Sequence, residues 1–195
     1  KCCKDVVKTD LPLANHCYIR ACKTATIGGN KVNILEISLI SSALLCSLVA
    51  GITLVFAIVV MPGISKFEDK EFLKAFQLID GVIQNNQPLF LLVWLGSIIS
   101  VLVTILSSMI TLGFLDSLMI ICVCSIYLFG VQGITILIHL PLNRRIQNLD
   151  INNLDKEKLK EERIKFENKW NYYNKIRTVI AFFVSLMLLI IIPIT

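Results

Sequence analysis

Four unbroken apolar blocks alternate with polar stretches of very unequal length. The blocks run over about 37–61, 89–112, 117–140 and 176–194. A bilayer core of about 30 Å needs roughly 20 apolar residues in a helix, and each block is of that order. The blocks are continuous rather than alternating, which argues against transmembrane strands. Backbone groups in lipid must pair within their own segment, and that leaves helices. The pattern predicts an all-α polytopic membrane protein, a four-transmembrane-helix bundle. Pro62-Gly63 is expected to close the first span and Pro141 the third. The second and third spans are joined by little more than Gly113-Phe114-Leu115-Asp116, so they form an antiparallel hairpin.

The two long connections also carry helical patterns. In the first, Phe72, Phe76, Ile79 and Ile83 recur at helical spacing, with Lys70, Lys74 and Gln77 expected on the other side. That is an amphipathic helix suited to the membrane interface. In the second, Asp155 is placed to cap a helix start, and Lys158–Glu162 has the i, i+4 spacing of a charge pair. No breaker interrupts the run from there into the fourth apolar block. One long helix therefore runs into span four, with Trp170, Tyr172 and Tyr173 at the height of an aromatic belt.

Composition agrees with this pattern. Of 195 residues 55% are hydrophobic and 17% charged, and the mean hydropathy is +0.74. A soluble domain carries about 25% charged residues, so a soluble enzyme is excluded. The net charge of +5 is not a nucleic-acid footprint, because Lys and Arg cluster beside the apolar blocks. There they report topology. An even number of spans separates the two long connections, which puts both on one face. That face holds Lys66, Lys70, Lys74, Arg144, Arg145 and the basic residues of 156–177, against six in residues 1–34 and none in the hairpin. The expectation is an integral protein of the plasma membrane, with its long connections cytoplasmic and both termini outside.

Residues 1–34 read as a polar N-terminal tail, expected to be loose, ahead of a transmembrane domain over 35–195. The chain begins with Lys1, so the true N-terminus is expected to be missing or processed. The tail has no apolar core of signal-peptide form. Cys2, Cys3, Cys17 and Cys22 lie in it; Cys46, Cys122 and Cys124 lie in apolar blocks. No pair has C-x-x-C spacing, so neither a redox pair nor a zinc ribbon is indicated. The tail thiols read as incidental; lipidation at Cys2 and Cys3, or metal binding by His16, Cys17 and Cys22, is only weakly signalled.

Small residues recur every fourth position on two spans: Ala43, Ser47 and Gly51, then Ser100, Thr104 and Ser108. Such ridges let helices approach closely. Polar residues inside spans are rarer, and each needs a reason. Gln132, Thr135 and His139 share one face of span three by helical arithmetic, with Asn143 one turn on. Trp170, Asn174, Arg177 and Thr178 share a face of the last helix. Gln77, Asp80 and Gln84 form a third polar face. In a compact bundle the three faces can converge on one pocket near the ends of the spans. Taken singly these residues read as interfacial polar glue; taken together they point to a site. Its chemistry would be a histidine that moves a proton, an arginine that holds an anion and amides that orient a substrate.

Cofactor readings find no support. There is no axial-histidine pair for a b-type haem, no G-x-G-x-x-G, no P-loop and no carboxylate inside a span for a bridged metal site. No metal ligand set is assigned.

The runs GITLVFAIVVMPGI, FQLIDGVIQNNQPLF, GITILIHLPLNRRI and WNYYNKIRTVIAF, in that order, resemble the anthrone oxygenase-like family of small four-helix membrane proteins. The matched elements are Met61-Pro62, Gln77, Pro88, Phe90, Thr135, Pro141-Leu142-Asn143, Trp170, Asn174, Arg177 and Thr178. His139 and Asp80 stand where the family pattern has asparagine. The resemblance implies a cofactor-independent oxygenase that oxidises an anthrone, a tricyclic aromatic ketone, with O₂. On that reading His139 removes the methylene proton and Arg177 stabilises the enolate oxygen. Gln77, Asp80, Gln132, Thr135, Asn143, Trp170 and Asn174 surround the substrate. The alternative is a non-enzymatic membrane protein that binds a small molecule or an assembly partner. A transporter ranks last, since no acidic residue or broken helix lies at mid-membrane. The partners expected are the lipid bilayer, a small aromatic substrate and O₂, with no nucleic acid; oligomeric state is not assigned.

Overall fold

The computed structural model describes residues 33–85 and 87–194. The expected tail and its cysteines lie outside the described residues, apart from Asn33 and Ile34. From Ile34 onward the chain is helical, with short connections and no strand among the described residues. Helix α1 spans Ile34–Val55 and continues through a π-helical turn, Phe56–Val60, into α2, Met61–Ile64. Helix α3 is Asp69–Gln84 and α4 is Pro88–Leu112. Helix α5, Phe114–Ile126, runs through π-helical stretches Tyr127–Gly133 and Thr135–His139 into α6, Leu140–Gln147. Helix α7, Lys156–Ile191, closes the bundle.

Four of these continuous helices are long and apolar enough to cross a membrane: Ile34–Ile64, Pro88–Leu112, Phe114–Gln147 and Lys156–Ile191. Their outward faces carry Leu44, Ile58, Leu106, Ile110, Phe129 and Leu137, all largely exposed. In water such a girdle would be untenable; in lipid it is the expected surface. The chain is an all-α polytopic membrane bundle.

Pro62 and Gly63 stand in the last turn of the first span, whose helix ends at Ile64 as expected, whereas Pro141 does not end the third. Proline has no N–H to offer residue i−4, and its ring crowds that carbonyl. For Pro62 that residue is Ile58; for Pro141 it is Leu137. Both lie within π-helical turns, where the wider i→i+5 pattern accommodates the ring. The third helix therefore runs on to Gln147. The hairpin is tighter than expected: only Gly113 separates α4 from α5. Its φ of +84° is a conformation that suits glycine.

Helix α1 packs against α4 and α7, α4 against α5, and α5 against α7. Hydroxyls link α1 to α4, Ser38 to Ser107 at 3.0 Å and Ser42 to Thr104 at 2.9 Å. The ridge Ser100–Thr104–Ser108 is buried as expected. The ridge on α1 is not the contact face. Four-residue steps drift around a 3.6-residue helix, so Ala43 is buried, Ser47 half-buried and Gly51 exposed.

A second core lies at the end of the bundle opposite the hairpin. Phe72, Leu73 and Phe76 of α3 pack with Ile146, Phe166 and Trp170. Gln77 is not on the outer side of α3. Its amide donates to the carbonyls of Ile146 and Leu149 and fastens α3 to the end of α6. Trp170 is not a belt residue either: it is buried, whereas Tyr172 is exposed. Asp155 caps α7 by accepting from the Lys158 N–H at 2.8 Å. Lys158 pairs with Glu161 rather than Glu162, and Glu162 instead receives Arg145. Arg163 donates to the carbonyls of Ser65 and Phe67, and to Asp69 and Glu167, and so ties the turn before α3 to α7.

Candidate active site

Beside the Phe72–Phe76–Trp170 core lies a cavity of about 300 Å³. All four long helices and α3 contribute to its wall. Ligand sites of small molecules begin at about this size. The wall is mainly apolar, formed by Phe56, Phe76, Phe90 and Trp94 among others, with a polar edge. Trp170 is the hub. Its ring meets Phe56 at 5.6 Å, Phe76 at 5.9 Å and His139 at 5.0 Å between centroids.

The π-helical turns place the polar edge. Phe56 sits on the first of them, and Thr135 and His139 on the last. Gln132 is turned away from the cavity. The wider π-helical turn changes which residues share a face, and Gln132 lies beside Tyr127 and donates to its hydroxyl at 3.0 Å. Tyr127 in turn donates to Ser97 at 2.8 Å. The helical arithmetic that put Gln132 beside Thr135 and His139 assumed an α-helix throughout.

Three charged side chains line the cavity: Arg177, Asp80 and, at its exposed edge, Arg144. Arg177 donates from Nε to Asn174 Oδ1 at 2.9 Å and from a terminal nitrogen to Thr135 Oγ1 at 3.1 Å. Its guanidinium lies 5.8 Å from the Trp170 ring centre, within cation–π range. Asn174 is held by donating to the Thr53 carbonyl at 3.1 Å. Arg177 makes no ion pair with any described residue. Asp80 is 2% exposed and is likewise without a cation. Its carboxylate accepts from Asn143 at 2.6 Å, Gln84 at 2.6 Å and Gln147 at 3.0 Å. Asn143 also accepts from Trp170 Nε1 at 3.0 Å. One chain of bonds thus runs from Asp80 through Asn143 to Trp170.

His139 is 2% exposed. Neither ring nitrogen makes a hydrogen bond of good geometry, the Tyr173 backbone being the nearby polar group. Both nitrogens are covered by packing, so the imidazole reaches a ligand only by turning its ring. Among the described residues no three His, Cys, Asp or Glu side chains converge as a metal cradle.

Of the sequence-predicted residues, Asp80, Thr135, His139, Asn143, Trp170 and Arg177 line the cavity. Asn174 stands behind Arg177. Gln77 and Gln132 are elsewhere, in the α3–α6 joint and the Tyr127 network. The sequence reading missed Phe56 and Trp94. The spacing of Phe90, Trp94 and Ser97 on one helical face was the available signal for Trp94.

The family model of anthrone oxygenase matches residues 87–187. That stretch carries α4 to most of α7, and with them His139, Asn143, Trp170 and Arg177. The chain belongs to the anthrone oxygenase family. No curated protein and no solved structure matches it.

Proposed function

We propose that this member of the family is a cofactor-independent oxygenase of an activated aromatic carbon acid, an anthrone or a close relative. The observation that carries the reading is Arg177, a guanidinium without a carboxylate partner among the described residues, on the wall of an aromatic cavity. A cation so placed is compensated when a ligand brings negative charge to it. An anthrone acquires that charge on losing a methylene proton, because the carbanion delocalises onto the ketone oxygen. His139 takes the proton after its ring turns toward the ligand. Arg177 holds the enolate oxygen, and Asn174 and Thr135 fix the guanidinium. The apolar walls exclude water and strengthen that contact. The electron-rich anion then reduces O₂ directly. One oxygen atom stays on the former methylene carbon as the new carbonyl; the other leaves as water with the two methylene hydrogens. The basic residues flanking the site set its end of the bundle, and both long connections, on the cytoplasmic side of the plasma membrane.

The test is anaerobic. A hydroxyanthrone mixed under argon with the detergent-purified protein at neutral pH should show the red-shifted absorbance of its anion. Arg177→Ala should abolish that band. A ligand that binds wild type yet stays neutral contradicts the reading. The second reading, a non-enzymatic small-molecule binder, draws on the covered nitrogens of His139. It predicts binding without the anion band.

A further inference from the structure

The bundle leaves one side of the cavity open. Helix α4 packs on α5 in the half next to Gly113, and Tyr127 and Gln132 of the third span still reach Ser97. Beyond Ser97 the two spans part: α4 packs neither on Thr135–His139 nor on α6 as it does on α5. Leu91 on α4 and Leu140 on α6 flank the gap, both half-buried and both on the cavity wall. Their neighbours Leu92 and Leu137 are largely exposed, so the gap faces lipid rather than water. Where the gap reaches α3 its rim turns polar, with Gln84 and Arg144 exposed. The Arg144 guanidinium makes no ion pair or hydrogen bond with any described residue, whereas its neighbour Arg145 is paired with Glu162.

We infer that the cavity fills sideways from the bilayer, through the gap between α4 and the third span, and takes an amphiphilic acid whose apolar body lies among the aromatic residues and whose acid group stays at Arg144. The inference goes beyond the oxygenase reading and holds whatever chemistry follows binding. Two features of the opening select this class of ligand. An apolar rim lets a lipid-dissolved body pass without first entering water. The acid group of such a molecule sits where acyl chains meet headgroups, the depth at which the rim changes from leucine to arginine. A neutral apolar molecule gains nothing from Arg144. A phospholipid is excluded, because its two chains exceed a cavity of about 300 Å³.

Both tryptophans, Trp94 and Trp170, line the cavity, so intrinsic fluorescence reports its occupant. Trp170 is 2% exposed, and a contact quencher reaches it only from inside the cavity. The probe is a fatty acid dibrominated near its carboxyl end, ionised and carried in the bilayer of vesicles that hold the full chain. It should quench more emission than a phosphatidylcholine of equal bromine content, and Trp94→Phe, which leaves Trp170 alone, should keep that difference. Arg144→Gln should raise the half-quenching mole fraction of the acid about fivefold, the size of one exposed ion pair, and leave that of its methyl ester unchanged. Leu91→Phe with Leu140→Phe narrows the gap and should slow the onset of quenching in stopped-flow mixing. If the acid quenches folded wild type no more than the phosphatidylcholine does, the inference falls, and this comparison needs no variant. It falls also if Arg144→Gln affects acid and ester alike, or if narrowing the gap leaves the onset unchanged. None of these results bears on the oxygenase reading, which the anaerobic anion band tests separately.

Discussion

Asn143 on α6 bonds to both α3 and α7, and its removal has a calculable cost. In Asn143→Ala the Trp170 N–H loses its acceptor at 3.0 Å and Asp80 loses a donor at 2.6 Å. A buried donor left unpaired costs about 1–3 kcal/mol, and a hydrogen bond to a charged group contributes about 1.5–3 kcal/mol. Two amides, Gln84 and Gln147, still hold Asp80, so the second figure applies at its lower end. The expected loss is about 2.5–4.5 kcal/mol, above the average of about 0.6 kcal/mol for interhelical hydrogen bonds in membrane proteins. Reversible unfolding in mixed detergent micelles measures it. The double variant Asp80→Ala/Asn143→Ala should be less destabilised than the sum of the singles, with a coupling of about 1 kcal/mol or more. A single variant that unfolds like wild type, or strictly additive singles, would refute the chain from Asp80 through Asn143 to Trp170.

Other variants probe separate parts of the structure. His139→Leu should leave stability unchanged or raised, since neither ring nitrogen makes a well-formed hydrogen bond, while turnover is lost; a clear drop in melting temperature would assign His139 a structural role. A Cβ at Gly130 would stand 3.0 Å from Ile180 Cδ1 and 3.1 Å from its Cγ2. Gly130→Ala should therefore cost about 1–3 kcal/mol in detergent unfolding, and Ile180→Ala in the same chain should recover part of it. Arg163→Ala should cost about 2 kcal/mol in the same assay, and Arg163→Lys should not restore it, because a single ammonium cannot reproduce the guanidinium's donor fork. Asp155→Ala should cost about 1 kcal/mol, read as faster amide exchange confined to the first turns of α7.

The spans were legible because lipid leaves a chain few options: continuous apolar runs of this length become helices, and the runs are unmistakable in the sequence. The Asp155 cap was legible for a local reason, as its side chain needs only its own helix. What the sequence hid depends on neighbours. Pro141 looks like a stop, yet the packed bundle continues its helix through a π-helical turn to Gln147. Such turns then change which residues share a face. Gln132 is carried to Tyr127 and Ser97, while Thr135 and His139 remain at the cavity. Trp170 stands among aromatic residues at a membrane-belt height, but the polar surface of α3 and α6 receives it, through Asn143. Part of the cavity's polar edge was legible in spacing, which put Thr135 with His139 on one helix face and Trp170, Asn174 and Arg177 on another. The aromatic wall was not, because Phe56 and Trp94 lie in segments where nearly every residue is apolar and composition cannot single one out.

The most direct measurement is oxygen uptake by the purified protein with a hydroxyanthrone, wild type beside Arg177→Ala. The account predicts uptake above the spontaneous rate, one O₂ consumed per anthraquinone formed, and its loss in Arg177→Ala with the fold intact. A folded, monodisperse wild type that consumes no oxygen above the spontaneous rate would contradict it.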